Sequence, residues 1–414
     1  MTPHVFDSST IAGVVLKNRI IRSATHESLA DSFGAPTEAL VKLYTSLAKG
    51  GAGAIITGYA GVQQDGRSSL PGMLMIDDDN LVAPYRRLTD AVHRFGTPIY
   101  LQLAHCGRQT RSAITGVRTV APSALKDKIF NEEVPHELDE REIEIIISNF
   151  AAAAGRAAKA GFDGVQLHLA HGYLLSSFLS GRSNQRRDRW GGSVVNRFRI
   201  IAEIISRIKL ERGDFPVLAK LNAYDKMPRG MRLNDAVEVA RMLEAAGCSA
   251  IELSSGVIED GLSVMRGTEL PMEALFACHF RFRVIPGPLR KVTAPIVRLA
   301  MPCPKPLLNY NLEAARSIKA AVSIPVIAVG GIHTMEDISM AFSSGAADYV
   351  SMSRPFIKEP DIVNKFQERR QTASRCIMCN YCVIMVEGGP LRCWHGKLPD
   401  AERLAQLLPQ CACG

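Results

Sequence analysis

Two imidazoles and a phenol fall close together in Gln166-Leu-His168-Leu-Ala-His171-Gly-Tyr173-Leu-Leu. Histidines three residues apart can aim N–H groups at one oxygen, and the tyrosine offers a phenolic proton of pKa about 10. Such a set suits a carbonyl that is polarised while a neighbouring carbon is protonated. Taken alone, the same pair reads equally well as hydrogen-bonded core histidines or as metal ligands. A second chemistry lies in Cys376-Ile-Met-Cys379-Asn-Tyr-Cys382 and the later Cys393, a C-x₂-C-x₂-C-x₁₀-C spacing. Three closely spaced thiolates can wrap one face of an iron–sulfur cube, and a distant fourth closes it. Zinc sites more often separate two C-x₂-C pairs. Zinc, or no metal at all, stays open as an alternative. A third signal pairs Gly330-Gly331 with Met352-Ser353-Arg354-Pro355. Glycines let backbone N–H groups approach an anion, and arginine can pair with it.

The elements that must position these groups alternate. Short β-rich runs occur at Arg19–Ala24, Ala54–Gly58, Pro98–Leu103, Gly164–His168, Pro216–Leu221, Ala250–Ser254, Pro325–Gly330 and Tyr349–Met352. Amphipathic stretches separate them, from Glu38–Lys49 to Asp361–Arg370. Eight strand–helix pairs predict an α/β fold, a TIM (β/α)₈ barrel occupying residues 1–370. An open doubly wound sheet would carry a glycine-rich dinucleotide turn, and no Gly-x-Gly-x-x-Gly appears. The histidine motif then runs off the C-terminal end of strand four, and the glycine and arginine motifs end strands seven and eight. Barrels place active sites and phosphate sites there. Residues 256–309 far exceed a usual βα connection of ~2–6 residues and form a plausible lid. Residues 371–414 form a short Cys-rich extension, in which Cys411 and Cys413 read as a frayed tail.

Composition excludes several classes. The 414 residues are 47% hydrophobic and 22% charged, ordinary values for a chain that buries a large core. The net charge of +8 comes from scattered Lys and Arg, so no nucleic-acid partner is expected. No run approaches ~18 apolar residues and the N-terminus lacks a signal-peptide pattern, which predicts a cytosolic, non-membrane protein. Homo-oligomerisation is left open.

The stretch from Gln166 through Phe178-Leu-Ser180, Asn184-x-Arg186-x-Asp188-x-Trp190-Gly-Gly-Ser193 and Asn196-Arg197 resembles the hallmark of the old yellow enzyme (NADH:flavin oxidoreductase) family. Similar motifs run from Leu16-Lys17-Asn18-Arg19 to Arg354-Pro355-Phe356. The departures are Gly181, where proline is usual, and Val195, where glutamate is usual. The resemblance implies an FMN cofactor. In it, His168 and His171 hold the oxygen of an electron-withdrawing group, Tyr173 gives a proton to the α-carbon, and reduced flavin N5 delivers hydride to the β-carbon. The implied flavin contacts are Ala24, Thr25, His26, Gly58, Gln102, Lys220, Gly330, Gly331, Ser353 and Arg354. Lys220 stands where many relatives carry arginine, close to flavin N1 and O2. In any case, a lysine inside an apolar strand needs a partner. His26 resembles the dienoyl-CoA reductase branch, and so does the cysteine motif. That branch binds [4Fe-4S] with C-x₂-C-x₃-C-x₁₁-C, so this chain is one residue shorter in two gaps.

Those relatives continue into an FAD and NAD(P)H module that this sequence lacks. The expectation is therefore that NAD(P)H reduces the FMN directly or that a separate electron-donor protein acts through the cluster. The leading function is an ene-reductase acting on a small-molecule enone, enoate, enoyl thioester or nitroalkene. The alternatives are an amine dehydrogenase or demethylase of the same family, and an electron-transfer flavoprotein subunit.

Overall fold

Strands covered by helices outside and side chains inside have no solvated face, so they read as short continuous apolar runs. All eight form. The computed structural model describes residues 4–127, 133–260, 265–279 and 281–397. In it the barrel strands are β1 (Ile20–Arg22), β2 (Ala54–Gly61), β3 (Ile99–Ala104), β4 (Gly164–Leu169), β5 (Val217–Asn222), β6 (Ala250–Ser254), β7 (Val326–Val329) and β8 (Tyr349–Met352). Every neighbouring pair is parallel, and β8 pairs back onto β1 with Val350 opposite Ile20. The sheet closes into a TIM barrel. Outside it lie α1 (Glu38–Lys49), α2 (Val82–His93), α3 (Glu140–Lys159), α4 (Val194–Arg212), α5 (Leu233–Ala245), α6 (Leu312–Lys319), α7 (Met335–Ser343) and α8 (Ile362–Gln367). The longest, α3, starts at a reciprocal cap in which Asp139 accepts from the Glu142 N–H and Glu142 accepts from the Asp139 N–H.

The barrel interior is divided. Its N-terminal half is apolar, built from residues such as Ile21, Ile56, Tyr100, Leu218, Ile327 and Tyr349. A hairpin of Ser9–Ile11 and Val14–Leu16 stoppers that end with Ile11 and Leu16, both fully buried. This hairpin is not legible in the sequence. Three-residue strands are too short to display a period, and alanine is an unusual occupant of its left-handed turn, where Ala12 has φ 46° and Gly13 φ 82°. The C-terminal half of the interior is polar, and the functional residues gather there.

Among the described residues of 256–309 are the helices Met272–Cys278 and Gly287–Ala300. Leu275, Phe276 and Val297 from this segment pack against Ile384, Met385 and Trp394 of the cysteine-bearing segment. That segment is joined to the barrel by the Leu391 N–H, which donates to the Glu27 carbonyl at 2.8 Å. Cys411 and Cys413 lie outside the described residues. Among the described residues, no helix is long and apolar enough to cross a membrane.

Candidate active site

Beyond β4 the chain turns sharply: His171 has φ 66° and Gly172 φ 90° before the short helix Leu174–Leu179. The turn folds His171 and Tyr173 back over the strand-end His168. The His168 ring meets His171 edge-on at 5.2 Å and Tyr173 at 4.9 Å. His171 Nε2 lies 2.8 Å from Ser254 Oγ at the end of β6, whereas the buried Nδ1 of His168 has no hydrogen-bond partner among the described residues. Burial, reinforced by neighbouring positive charge, holds the His168 imidazole well below its ordinary range and lowers His171 to about 3. Both rings are neutral at neutral pH, so each can donate one N–H to an acceptor. Burial pushes the Tyr173 phenol well above its ordinary value, and Tyr59 adds to the effect, so the phenol keeps its proton.

Tyr59, unassigned from sequence, belongs to this group. Its ring lies 5.4 Å from Tyr173 and stacks at 5.0 Å on His26, whose Nε2–H donates to the Pro71 carbonyl at 3.0 Å. An aromatic at the end of a barrel strand was the available signal. Together with Thr25, Ser353 and Arg354, these residues line a largely apolar cavity of about 210 Å³.

A neighbouring cleft of about 190 Å³ is lined by Ala24, His171, Lys220, Gly330, Gly331, Ser353 and Arg354, among others. Gly330 and Gly331 have φ 121° and 73°. A Cβ at Gly331 would lie 2.2 Å from the Leu307 carbonyl oxygen, and one at Gly330 2.6 Å from the Tyr310 ring. No side chain fits at either place, which leaves bare backbone facing the cleft. Arg354 stands between this cleft and the cysteine cavity, with Nη1 donating to Asn380 Oδ1 at 3.0 Å.

Two expected flavin contacts lie away from both cavities. Gln102 is turned inside the barrel, its Nε2 donating to Gln166 Oε1 at 2.7 Å. The Gly58 N–H is bound to Glu27 Oε1 and to the Tyr44 hydroxyl, both at 3.0 Å. A Cβ at Gly58 would meet Glu27 Oε2 at 2.0 Å, so the glycine there serves packing under the β1 turn. Lys220 has its partner: Nζ donates to Glu252 Oε2 at 3.1 Å and to Ser23 Oγ at 2.9 Å.

Cys376, Cys379, Cys382 and Cys393 all line one small cavity, with Arg354 and Trp394 beside them. Among the described residues no three His, Cys, Asp or Glu are gathered as a single-ion site.

The buried histidines carry a prediction. Burial lowers His26, His279 and His333 to about 4 and His171 to about 3. Each folded-state pKa lies below the unfolded value of about 6.5, so below that pH the unfolded chain binds more protons. Stability is therefore full above about pH 6.5 and drains as the pH falls towards about 3. Thermal melts should show a flat Tm between about pH 7 and 8 and a progressive fall below about 6.5. A Tm unchanged down to about pH 4.5 would contradict this burial.

The NADH:flavin oxidoreductase / NADH oxidase family profile matches residues 4–263 and 293–373. Over 99% of its length the chain is 33% identical to an NADH oxidase of Thermoanaerobacter brockii, of which it spans only 58%. It is 32% identical to a 4,4'-dithiodibutanoate disulfide reductase of Rhodococcus erythropolis, covering 94% of each chain. Its fold superposes on an old yellow enzyme homologue of Zymomonas mobilis with a TM-score of 0.69 at 26% identity, over 90% of this chain and 94% of that one. A 2-naphthoyl-CoA reductase shares the fold with a TM-score of 0.80 at 23% identity, over 98% of this chain and 58% of that one. The match extends through the strand ends that carry His168, Tyr173 and Arg354, and on that ground the chain belongs to the NADH:flavin oxidoreductase / NADH oxidase family, the old yellow enzyme group.

Proposed function

We propose that the chain is an FMN-dependent, NAD(P)H-driven reductase of activated carbon–carbon double bonds. The observation that carries the reading is the convergence of two neutral imidazoles and one protonated phenol beside a glycine-floored cleft. The residues present fit the flavin. Side-chain-free backbone at Gly330 and Gly331 and the adjacent Arg354 suit a phosphate, the pocketed Lys220 suits the electron-rich pyrimidine edge, and Ala24 and Ser353 complete the walls. Bound FMN supplies hydride transfer to and from carbon. The chain's own residues do the rest. His168 and His171 donate hydrogen bonds to the carbonyl or nitro oxygen and polarise the alkene. Tyr173 delivers the proton to the α-carbon. The apolar cavity excludes water and favours a mid-sized apolar substrate. Glu387 on its lining is raised by burial to about 8 and so is uncharged at neutral pH. The imidazole pair His168 and His171, set to donate to a carbonyl or nitro oxygen, poorly suits a cationic ammonium, which argues against the amine-dehydrogenase alternative.

Four thiols around one cavity, three of them within seven residues of sequence, suit a [4Fe-4S] cluster. Such a cluster would give a separate donor protein a route to the flavin. The test is an anaerobic absorbance spectrum of reconstituted protein. NAD(P)H should bleach the flavin bands and an enone should restore them, while Cys379→Ser should lose the broad cluster absorbance and the iron but keep the flavin. Protein that releases no flavin on denaturation, or reduced flavin that no enone reoxidises, refutes the reductase. Unchanged iron in a variant lacking all four cysteines refutes the cluster.

A further inference from the structure

The polar half of the barrel interior is organised around one carboxylate that the family motifs do not include. Glu252 on β6 is fully buried. Its Oε1 accepts from Ser23 Oγ and Ser351 Oγ, each at 2.6 Å, and its Oε2 accepts from Gln166 Nε2 at 2.8 Å and Lys220 Nζ at 3.1 Å. The donors come from four other places around the barrel, so one side chain ties together β4, β5, β8 and the end of β1. An ionised carboxylate only accepts, and this fixes the direction of every bond around it. Gln166 must turn its nitrogen to Glu252, which leaves its oxygen for Gln102 Nε2 at 2.7 Å. Lys220 spends two of its three N–H bonds on Glu252 and Ser23 and keeps the third for the cleft it lines. Burial alone would raise the Glu252 carboxyl, yet the Lys220 ammonium and the hydroxyl and amide donors outweigh it and hold the group ionised.

We infer that Glu252 is the positioning residue and countercharge of Lys220, so that the flavin feels a buried ion pair rather than a lone cation. The inference rests on the reading that FMN lies with its pyrimidine edge over Lys220. A buried pair cancels most of its own field at a distance, whereas either charge alone acts through a weakly screening interior. Removing one member should therefore move the flavin potential, and removing both should restore it.

The experiment is a redox titration of FMN-loaded protein. Glu252→Gln, which keeps shape and loses charge, should raise the reduced-to-oxidised ratio at fixed poise about tenfold, ~30 mV for a two-electron couple. Lys220→Met should lower that ratio by a similar factor. The double variant should lie within about threefold of wild type, as expected for two directly coupled sites. A merely structural glutamate would lower Tm without moving the potential. The inference is overturned if E252Q stays yellow with its potential unchanged or lowered. Should E252Q fail to fold, a double variant as shifted as K220M overturns it instead. Wild-type protein that binds no flavin overturns the flavin reading as well, which separates the two failures.

Discussion

Tyr173→Phe should lower steady-state reduction of an enone by about 10²- to 10⁴-fold, the range contributed by a positioned general acid. The substitution removes one oxygen and leaves the ring that packs against His168 and Tyr59. Cavity shape is therefore kept, and the loss can be assigned to the proton. Tyr173 is only 8% exposed and its phenol is held protonated by burial, so no bulk water replaces it quickly. Flavin reduction by NAD(P)H does not need that proton and should persist. Stopped-flow separates the halves: in the variant the flavin bleaches with NAD(P)H and then recovers slowly on adding enone. Tyr59→Phe removes a hydroxyl that lies 3.2 Å from Ser68 Oγ, on a ring beside Tyr173, and should cost far less, because the donor itself remains. Wild-type turnover in Y173F would mean that the α-carbon takes its proton from elsewhere. Equal losses in both variants would mean that the two phenols act as one relay.

The difference between these tyrosines marks the boundary of what the sequence could disclose. Tyr173 sits in a spaced motif whose residues share one strand end, so local chain geometry alone brings it to His168. The barrel was legible for the same reason: each strand is a buried run and each helix an amphipathic one, both local patterns. Tyr59 reaches the site from β2, and only the closure of the sheet places it there. Glu252 is a stronger case. In Ala250-Ile-Glu-Leu-Ser254 it reads as one polar residue in an apolar strand, and its four donors are scattered from Ser23 to Ser351. The need of Lys220 for a partner was evident from its burial. Which acid would supply it depended on strand register, with Lys220 opposite Glu252. Gly58, expected among the flavin contacts, has its N–H bound in the structure to the buried Glu27 carboxylate.

That carboxylate carries the largest expected stability effect. Glu27→Ala should cost about 3–5 kcal/mol, the usual loss when one partner of a buried ion pair is removed. Arg22 donates to Glu27 Oε1 at 2.6 Å, and both side chains are 3% exposed. The Arg22 guanidinium lies 5.4 Å from the Tyr44 ring centre and also donates to neutral carbonyls, those of Ile56 at 2.7 Å and Thr25 at 3.3 Å. They cannot neutralise a guanidinium, which stays charged in proteins. Without Glu27, the Tyr44 hydroxyl loses its acceptor at 2.6 Å, and the Gly58 N–H keeps only that hydroxyl. Thr25 and His26 lie between Arg22 and Glu27 in sequence, so the turn that shapes one wall of the apolar cavity loosens as well. Urea denaturation of FMN-free protein measures the loss, and flavin titration measures the distortion of the wall. Substituting Met for Arg22 and Leu for Glu27 together should recover the part of the loss that comes from uncompensated charge, but not the part that comes from the Tyr44 hydroxyl losing its Glu27 acceptor and the Ile56 carbonyl losing its Arg22 donor. An E27A variant within about 0.5 kcal/mol of wild type would place the site among ordinary surface substitutions, with water entering to solvate Arg22.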